Sequence, residues 1–130
     1  MSKYLFAYGT LQPGCAPAQI ADLAAKLRPI GEASLRGRLY DFGGYPGAVP
    51  DASATGRIFG TVMELPDDPE ILQQLDAYEE INPQSPESSE YVREHQLVEL
   101  ASGGTLECWS YRHNEPADET RKIASGTWRK

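Results

Sequence analysis

Long hydrophobic runs are missing from this sequence. No apolar stretch approaches the roughly 20 residues that a membrane-spanning helix needs. The run at residues 3–8 is too short for a signal peptide and is followed by no small-residue cleavage site. Cysteine is scarce. Cys15 and Cys108 cannot form a disulfide framework and have no metal-ligand spacing. With no export signal, a reducing cytoplasm is the expected compartment. His95 and His113, the two histidines, form no metal-binding spacing with acidic neighbours. Basic charge is also in deficit, with twelve Lys and Arg against nineteen Asp and Glu and a net charge of −7. Nucleic acids and anionic membranes reward clustered cations, so neither is an expected partner. The acidic surplus otherwise reads as solubility.

What is present is an ordinary globular balance, 40% hydrophobic and 24% charged. The 130 residues suit one domain over 1–130 that can bury a real core without staples. Residues 3–8 are aromatic and apolar and stop at Gly9, as a buried strand does. Pro17 opens an amphipathic helix of about ten residues, with Ile20, Leu23, Ala24 and Leu27 at helical spacing, and Pro29 stops it. Residues 31–41 and 57–65 read as strands, separated by the turn-rich 43–47. Gly60 inside the second of these points to a bulge or a close backbone approach. Pro66-Asp67-Asp68-Pro69 starts a second helix that runs to about Glu79. Residues 91–100 and 105–111 form a hairpin about Ala101-Ser102-Gly103-Gly104. The segment 82–89 reads as a loop, and Ile123 and Trp128 are possible anchors of a polar tail. The expected class is α+β, with the strands curled into a small barrel that leaves few open edges.

One glutamate of the second helix stands out. With Leu72 at zero and about 100° per residue, Leu75 falls near 300°, Ile71 near 260° and Tyr78 near 240°. Glu79 falls near 340°, inside the apolar stripe, whereas Glu80 and Asp76 fall outside it, at about 80° and 40°. Desolvation raises the pKa of such a carboxylate and suits it to proton transfer near neutral pH. A position at a fraying helix end, with the side chain reaching water, also fits the pattern. Tyr8-Gly9-Thr10-Leu11 ends the first strand, where glycine can leave main-chain N–H groups open to a carboxylate or an oxyanion. It lacks the Gly-Lys-Ser/Thr ending of a phosphate-binding loop. An ordinary strand-to-helix connection would look the same.

Together with other segments, these two features resemble the gamma-glutamylcyclotransferase-like family, which includes the gamma-glutamylamine cyclotransferases. The resemblance rests on Phe6-Ala7-Tyr8-Gly9-Thr10-Leu11, Leu39-Tyr40, Tyr45-Pro46-Gly47-Ala48 and Ile58-Phe59-Gly60-Thr61-Val62. It continues through Leu75-Asp76-Ala77-Tyr78-Glu79, Tyr91-Val92-Arg93, Trp109-Ser110-Tyr111 and Ile123-Ala124-Ser125-Gly126-Thr127-Trp128. It implies a small mixed β-barrel with flanking helices and a pocket beside the Tyr8–Leu11 loop. Glu79 matches the family's catalytic acid/base, and the amides of Gly9, Thr10 and Leu11 match its substrate-holding loop. Tyr8, Tyr40 and Tyr111 would line the pocket. The implied reaction turns a γ-glutamyl compound, glutathione among them, into 5-oxoproline and a free amine or amino acid. It belongs to the transferase and lyase types and implies no metal or cofactor. The sequence departs from the family's habit at Glu80, at Cys15-Ala16-Pro17 and at Thr127, which bears on substrate choice more than on reaction type. Cys15 has no histidine near it in sequence to activate it as a nucleophile. A non-catalytic small-molecule binding module on the same scaffold is the alternative, and the leaving group and oligomeric state are unassigned.

Overall fold

The computed structural model describes residues 3–9, 12, 21–42, 46–78, 91–113 and 119–128. The elements in chain order are β1 (Tyr4–Ala7), α1 (Ala21–Ala24), β2 (Arg28–Asp41), β3 (Pro46–Pro50), β4 (Arg57–Glu64), α2 (Pro69–Tyr78), β5 (Tyr91–Leu100) and β6 (Thr105–His113). A 3-10 turn follows at Glu119–Arg121. β4 runs antiparallel to both β1 and β2, and β2 antiparallel to β3. β3 and β1 each lie parallel to β6, which closes a five-strand mixed barrel. β5 is the extra strand, antiparallel to β6 and touching β2 at Ala33↔Leu100 and Ser34↔Glu99. Closure removes the open sheet edges that would otherwise pair with other chains.

Strand alternation sorts the core into two layers. Phe6, Tyr8, Leu35, Leu39, Ile58, Val62, Val98 and Cys108 pack together inside the barrel. Leu5, Ala7, Met63, Tyr91 and Tyr111 face the other way and pack with Leu27 and with Ile71 and Leu75 of α2. β1 therefore reads as a continuous apolar run because both of its faces are covered. α2 begins where Asp68 Oδ1 accepts a bond from the Glu70 N–H at 3.0 Å, with Pro69 in the first turn. Burying Leu75 completely contributes about 1.5–3 kcal/mol to holding this helix on the barrel.

Three expectations need correction. The first helix does not continue to Leu27. Its described part ends at Ala24, and the Lys26 and Leu27 N–H groups donate to Leu23 and Ala24 at 3.1 Å in tighter bonds. Those bonds turn Leu27 into the core and deliver Arg28 to its partner Glu64 on β4. Pro29 lies inside β2 instead of in a connection, and the ladder absorbs its missing N–H at an irregularity between Pro29 and Gly31. Pro46 and Gly47, expected in a turn, belong to β3, which pairs with β2 from Asp41↔Pro46 to Gly37↔Pro50. The tail adds a further layer. Ile123 N–H donates to Leu39 O at 2.7 Å, Phe59 N–H to Gly126 O at 2.8 Å, and Ile123 and Trp128 pack on the barrel cluster. The segment 82–89, the beginning of the first helix and Cys15 lie outside the described residues.

Cys108 is fully buried, and burial, followed by the nearby Glu107 charge, pushes its thiol up to about 11. It is therefore a protonated core side chain at neutral pH. Mass mapping after brief maleimide treatment of the native protein is expected to find Cys108 unmodified. Full labelling should follow only in denaturant; rapid native labelling would contradict the burial.

Candidate active site

The described end of the Tyr8–Leu11 loop is held from three sides. Tyr8 O–H donates to the main-chain O of Tyr111 on β6 and accepts from Ala48 N–H of β3 at 3.3 Å. A Cβ at Gly9 would stand 2.7 Å from Pro46 Cγ, so the start of β3 requires a residue without a side chain there. Gln12 N–H donates to Gly9 O at 3.1 Å. Gln12 Nε2 also faces Tyr8 O at 2.8 Å, Gly9 O at 3.2 Å and Trp128 O at 3.4 Å, so its two protons serve three carbonyls. The loop entrance and the tail are thus joined through one amide. Thr10 and Leu11 lie outside the described residues.

α2 buries Ile71 and Leu75 and half-buries Leu72 and Tyr78, the stripe that its periodicity predicts. Tyr78 is its last residue, and Glu79, next in the chain, lies outside the described residues. Asp76, placed off the stripe by the helical wheel, is an unexpected participant. Its Oδ1 accepts from Arg93 Nε at 2.8 Å and from Tyr111 O–H at 2.7 Å, and its Oδ2 accepts from Arg93 Nη2 at 3.1 Å. Such two-pronged, charge-assisted bonds fix orientation as well as position. Arg93 and Tyr111 are direct cross-strand partners of β5 and β6. The Arg93 guanidinium also lies over the Trp109 ring, 4.2 Å from its centroid, and that ring stacks on His95 at 3.7 Å. Asp76 carries no local signal in the sequence, because its partner Arg93 lies 17 positions away.

The structure brings Tyr8 and Tyr111 together through the Tyr8 hydroxyl, and gives Tyr40 a partner on its own strand. Tyr40 is buried on the face of β2 opposite Leu39, and its hydroxyl accepts from Arg38 Nε at 3.0 Å. Arg38 also binds Asp51 Oδ2 at 3.0 Å. Hydrogen bonds from Ser53, then from Arg38, hold the Asp51 carboxyl below its usual range, and Asp51 and Tyr40 raise the Arg38 guanidinium. A cleft of about 140 Å³ opens between β2 and the tail; its described lining includes Arg38, Arg57 and Lys122 but not Tyr8, Gly9 or Tyr111. Among the described residues no group of three His, Cys, Asp or Glu stands together as metal ligands would. None of the described helices is long and apolar enough to cross a membrane.

The family profile described as gamma-glutamyl cyclotransferase, AIG2-like, matches residues 5–130. The chain belongs to that family. The Escherichia coli protein named Gamma-glutamylcyclotransferase family protein YtfP is 34% identical over 91 residues, which cover 70% of this chain and 66% of that protein. The chain thus spans just under two-thirds of this curated relative. The structure of YkqA from Bacillus subtilis superposes with a TM-score of 0.71 at 26% identity, covering 98% of this chain and 40% of that one. An AIG2-like protein from Mus musculus superposes with a TM-score of 0.73 at 17% identity, covering 98% and 88%. The second similarity concerns the fold alone. It shows that the mixed barrel with flanking helices is a fold shared with that protein. In this AIG2-like chain, as the contacts above show, the strand leading into Gly9 and the helix leading to Glu79 meet at Tyr111.

Proposed function

We propose that this protein is a cyclotransferase that releases 5-oxoproline from a γ-glutamyl compound, with Glu79 as its acid/base. The family match across residues 5–130 carries the reading. The convergence of the Tyr8–Gly9 segment and α2 on Tyr111 supports a site at that end of the barrel. The substrate supplies its own nucleophile, the α-amine, so ring closure is intramolecular and the enzyme's work is to hold the folded conformer and move protons.

In the proposed reaction the Glu79 carboxylate takes a proton from the α-ammonium group. The freed amine nitrogen bonds to the γ-carbonyl carbon, whose oxygen becomes an oxyanion. Main-chain N–H groups of Gly9, Thr10 and Leu11 hold the α-carboxylate or this oxyanion. Glu79 returns its proton to the departing nitrogen as the original carbon–nitrogen bond breaks. The second proton of the attacking nitrogen follows, so the leaving amine departs as an ammonium ion and the Glu79 carboxylate is restored. Tyr8 and Tyr40 are proposed as pocket walls. The departing group is a cysteinyl peptide if glutathione is the substrate, otherwise an amino acid or an amine.

The experiment is to incubate the protein with glutathione, several γ-glutamyl amino acids and γ-glutamyl amines, and to measure 5-oxoproline by mass spectrometry. At least one compound is expected to give 5-oxoproline and its free amine in equal amounts. Calorimetric binding of 5-oxoproline with no substrate consumed across the panel would instead establish a binding module.

A further inference from the structure

Tyr111 makes two structural connections at once. Its side-chain O–H donates to Asp76 Oδ1 at 2.7 Å, one helical turn before Glu79 in sequence. Its main-chain O accepts from the Tyr8 hydroxyl, one residue before Gly9. Its ring is buried in the layer between α2 and the barrel, with Leu5, Ile71 and Leu75. Arg93, its cross-strand partner, grips the same carboxylate with two nitrogens. The Asp76 and Arg93 side chains are 23% and 24% exposed, so solvent screens the pair less than a surface ion pair. β5 and β6 are paired from Tyr91↔His113 to Glu99↔Thr105, a rigid platform for such a clamp.

We propose that Tyr111 is a positioning residue that, through Asp76 and Tyr8, sets the end of α2 that leads to Glu79 against the donor loop that begins at Gly9. This rests on the cyclotransferase reading and revises the pocket-lining role that the resemblance implies for Tyr111. Its hydroxyl proton is committed to the helix, so its contribution lies in alignment more than in substrate affinity. Small displacements of an acid/base from its target cost turnover steeply, up to about 100-fold for 1 Å. Arg93 and Asp76 belong to the same unit, because both ends of the clamp must be present for either to hold.

The test is steady-state kinetics on Tyr111→Phe, Asp76→Asn and the double variant, using whichever γ-glutamyl compound the wild type consumes. Each single variant is expected to lower kcat about 10- to 100-fold with KM within about two-fold of wild type. The double variant is expected to be no worse than the poorer single one, since both break one clamp. A raised KM with kcat kept would show that Tyr111 touches substrate, and losses that multiply in the double variant would show two separate roles; either result overturns the proposal. Arg93→Lys keeps the charge but loses the two-pronged grip, and it replaces Asp76→Asn should that variant not fold. If the wild type forms no 5-oxoproline, the cyclotransferase reading fails on its own. The clamp is then read by hydrogen exchange: faster exchange in the last turn of α2 in Tyr111→Phe supports it, and wild-type exchange there overturns it.

Discussion

Replacing Glu79 by Gln is expected to leave the fold intact and to lower kcat by about 100-fold or more, the range typical for losing a general acid/base. The substitution conserves shape and hydrogen-bonding reach but removes the group that can accept and return a proton. KM is expected to stay near the wild-type value, because the α-carboxylate contacts proposed for the Gly9–Leu11 amides do not involve this side chain. The pH profile adds a second signature. The proposed reaction needs Glu79 as the carboxylate in its first step, so the wild-type rate should fall as pH drops through the titration of that group. The residual rate of Glu79→Gln should lack that limb. Glu80→Gln is the matched control: the helical wheel turns that residue away from the stripe, and its removal is expected to leave turnover within about two-fold. Initial rates of 5-oxoproline release across pH 5–9 for the three proteins decide the matter. Near-wild-type turnover by Glu79→Gln would remove Glu79 from the chemistry.

Much of the fold is legible wherever hydrophobic spacing reports two-sided or one-sided burial. β1 announces itself as a compact apolar run because the barrel covers Phe6 and Tyr8 while α2 and its neighbours cover Leu5 and Ala7. α2 shows its stripe because only one face is buried. β3 hides for the opposite reason. Prolines at both its ends and a glycine between them look like turn punctuation, yet at strand ends a missing N–H costs the ladder little. Gly47 leaves room there for two rings: a Cβ would lie 2.4 Å from Phe42 Cε2 and 2.9 Å from His113 Cδ2, so those side chains would have to shift. The parallel pairings of β6 with β1 and β3 join segments far apart in the chain, and no local pattern encodes them.

The candidate site is legible to a different depth. Glu79 and the Tyr8–Leu11 loop can be singled out locally, one by its place on an apolar stripe and the other by a glycine closing a strand. The connections between them cannot. Asp76 lies about 40° from Leu72 on the wheel, at a margin where periodicity alone says surface. What draws it in is the Arg93 and Tyr111 pair, which exists only once β5 and β6 are in register. Tyr111 likewise reads as one more aromatic of a strand, and only the structure shows its two ends bonded to different elements. The partner of Tyr40 is local instead: strand alternation puts it on one face with Arg38, whose Nε donates to its hydroxyl.

Replacing Gly60 by Ala is expected to destabilise the protein by about 1–3 kcal/mol, the usual range for forcing atoms into a filled site. A Cβ there would stand 2.4 Å from Ala7 O and 3.0 Å from Tyr8 Cα, both backbone atoms that no rotamer change can move aside. The β1–β4 ladder runs from Tyr4↔Glu64 to Ala7↔Thr61, and beyond it the chain leaving β1 passes over Gly60. Of the two readings open for a glycine in this strand, bulge or close approach, the contact distances support the close approach. The melting temperature should fall on the order of 5–10 °C in thermal unfolding. Gly31→Ala is the control, since nothing lies within 4 Å of a Cβ at that position; its effect is expected to stay within about 0.5 kcal/mol. The atoms that must yield in Gly60→Ala belong to Ala7 and Tyr8, which deliver Gly9. Below its melting transition, the variant is therefore expected to bind 5-oxoproline more weakly than Gly31→Ala does. A melting temperature and an affinity both unchanged from wild type would mean that β1 and β4 can part at that crossing without cost.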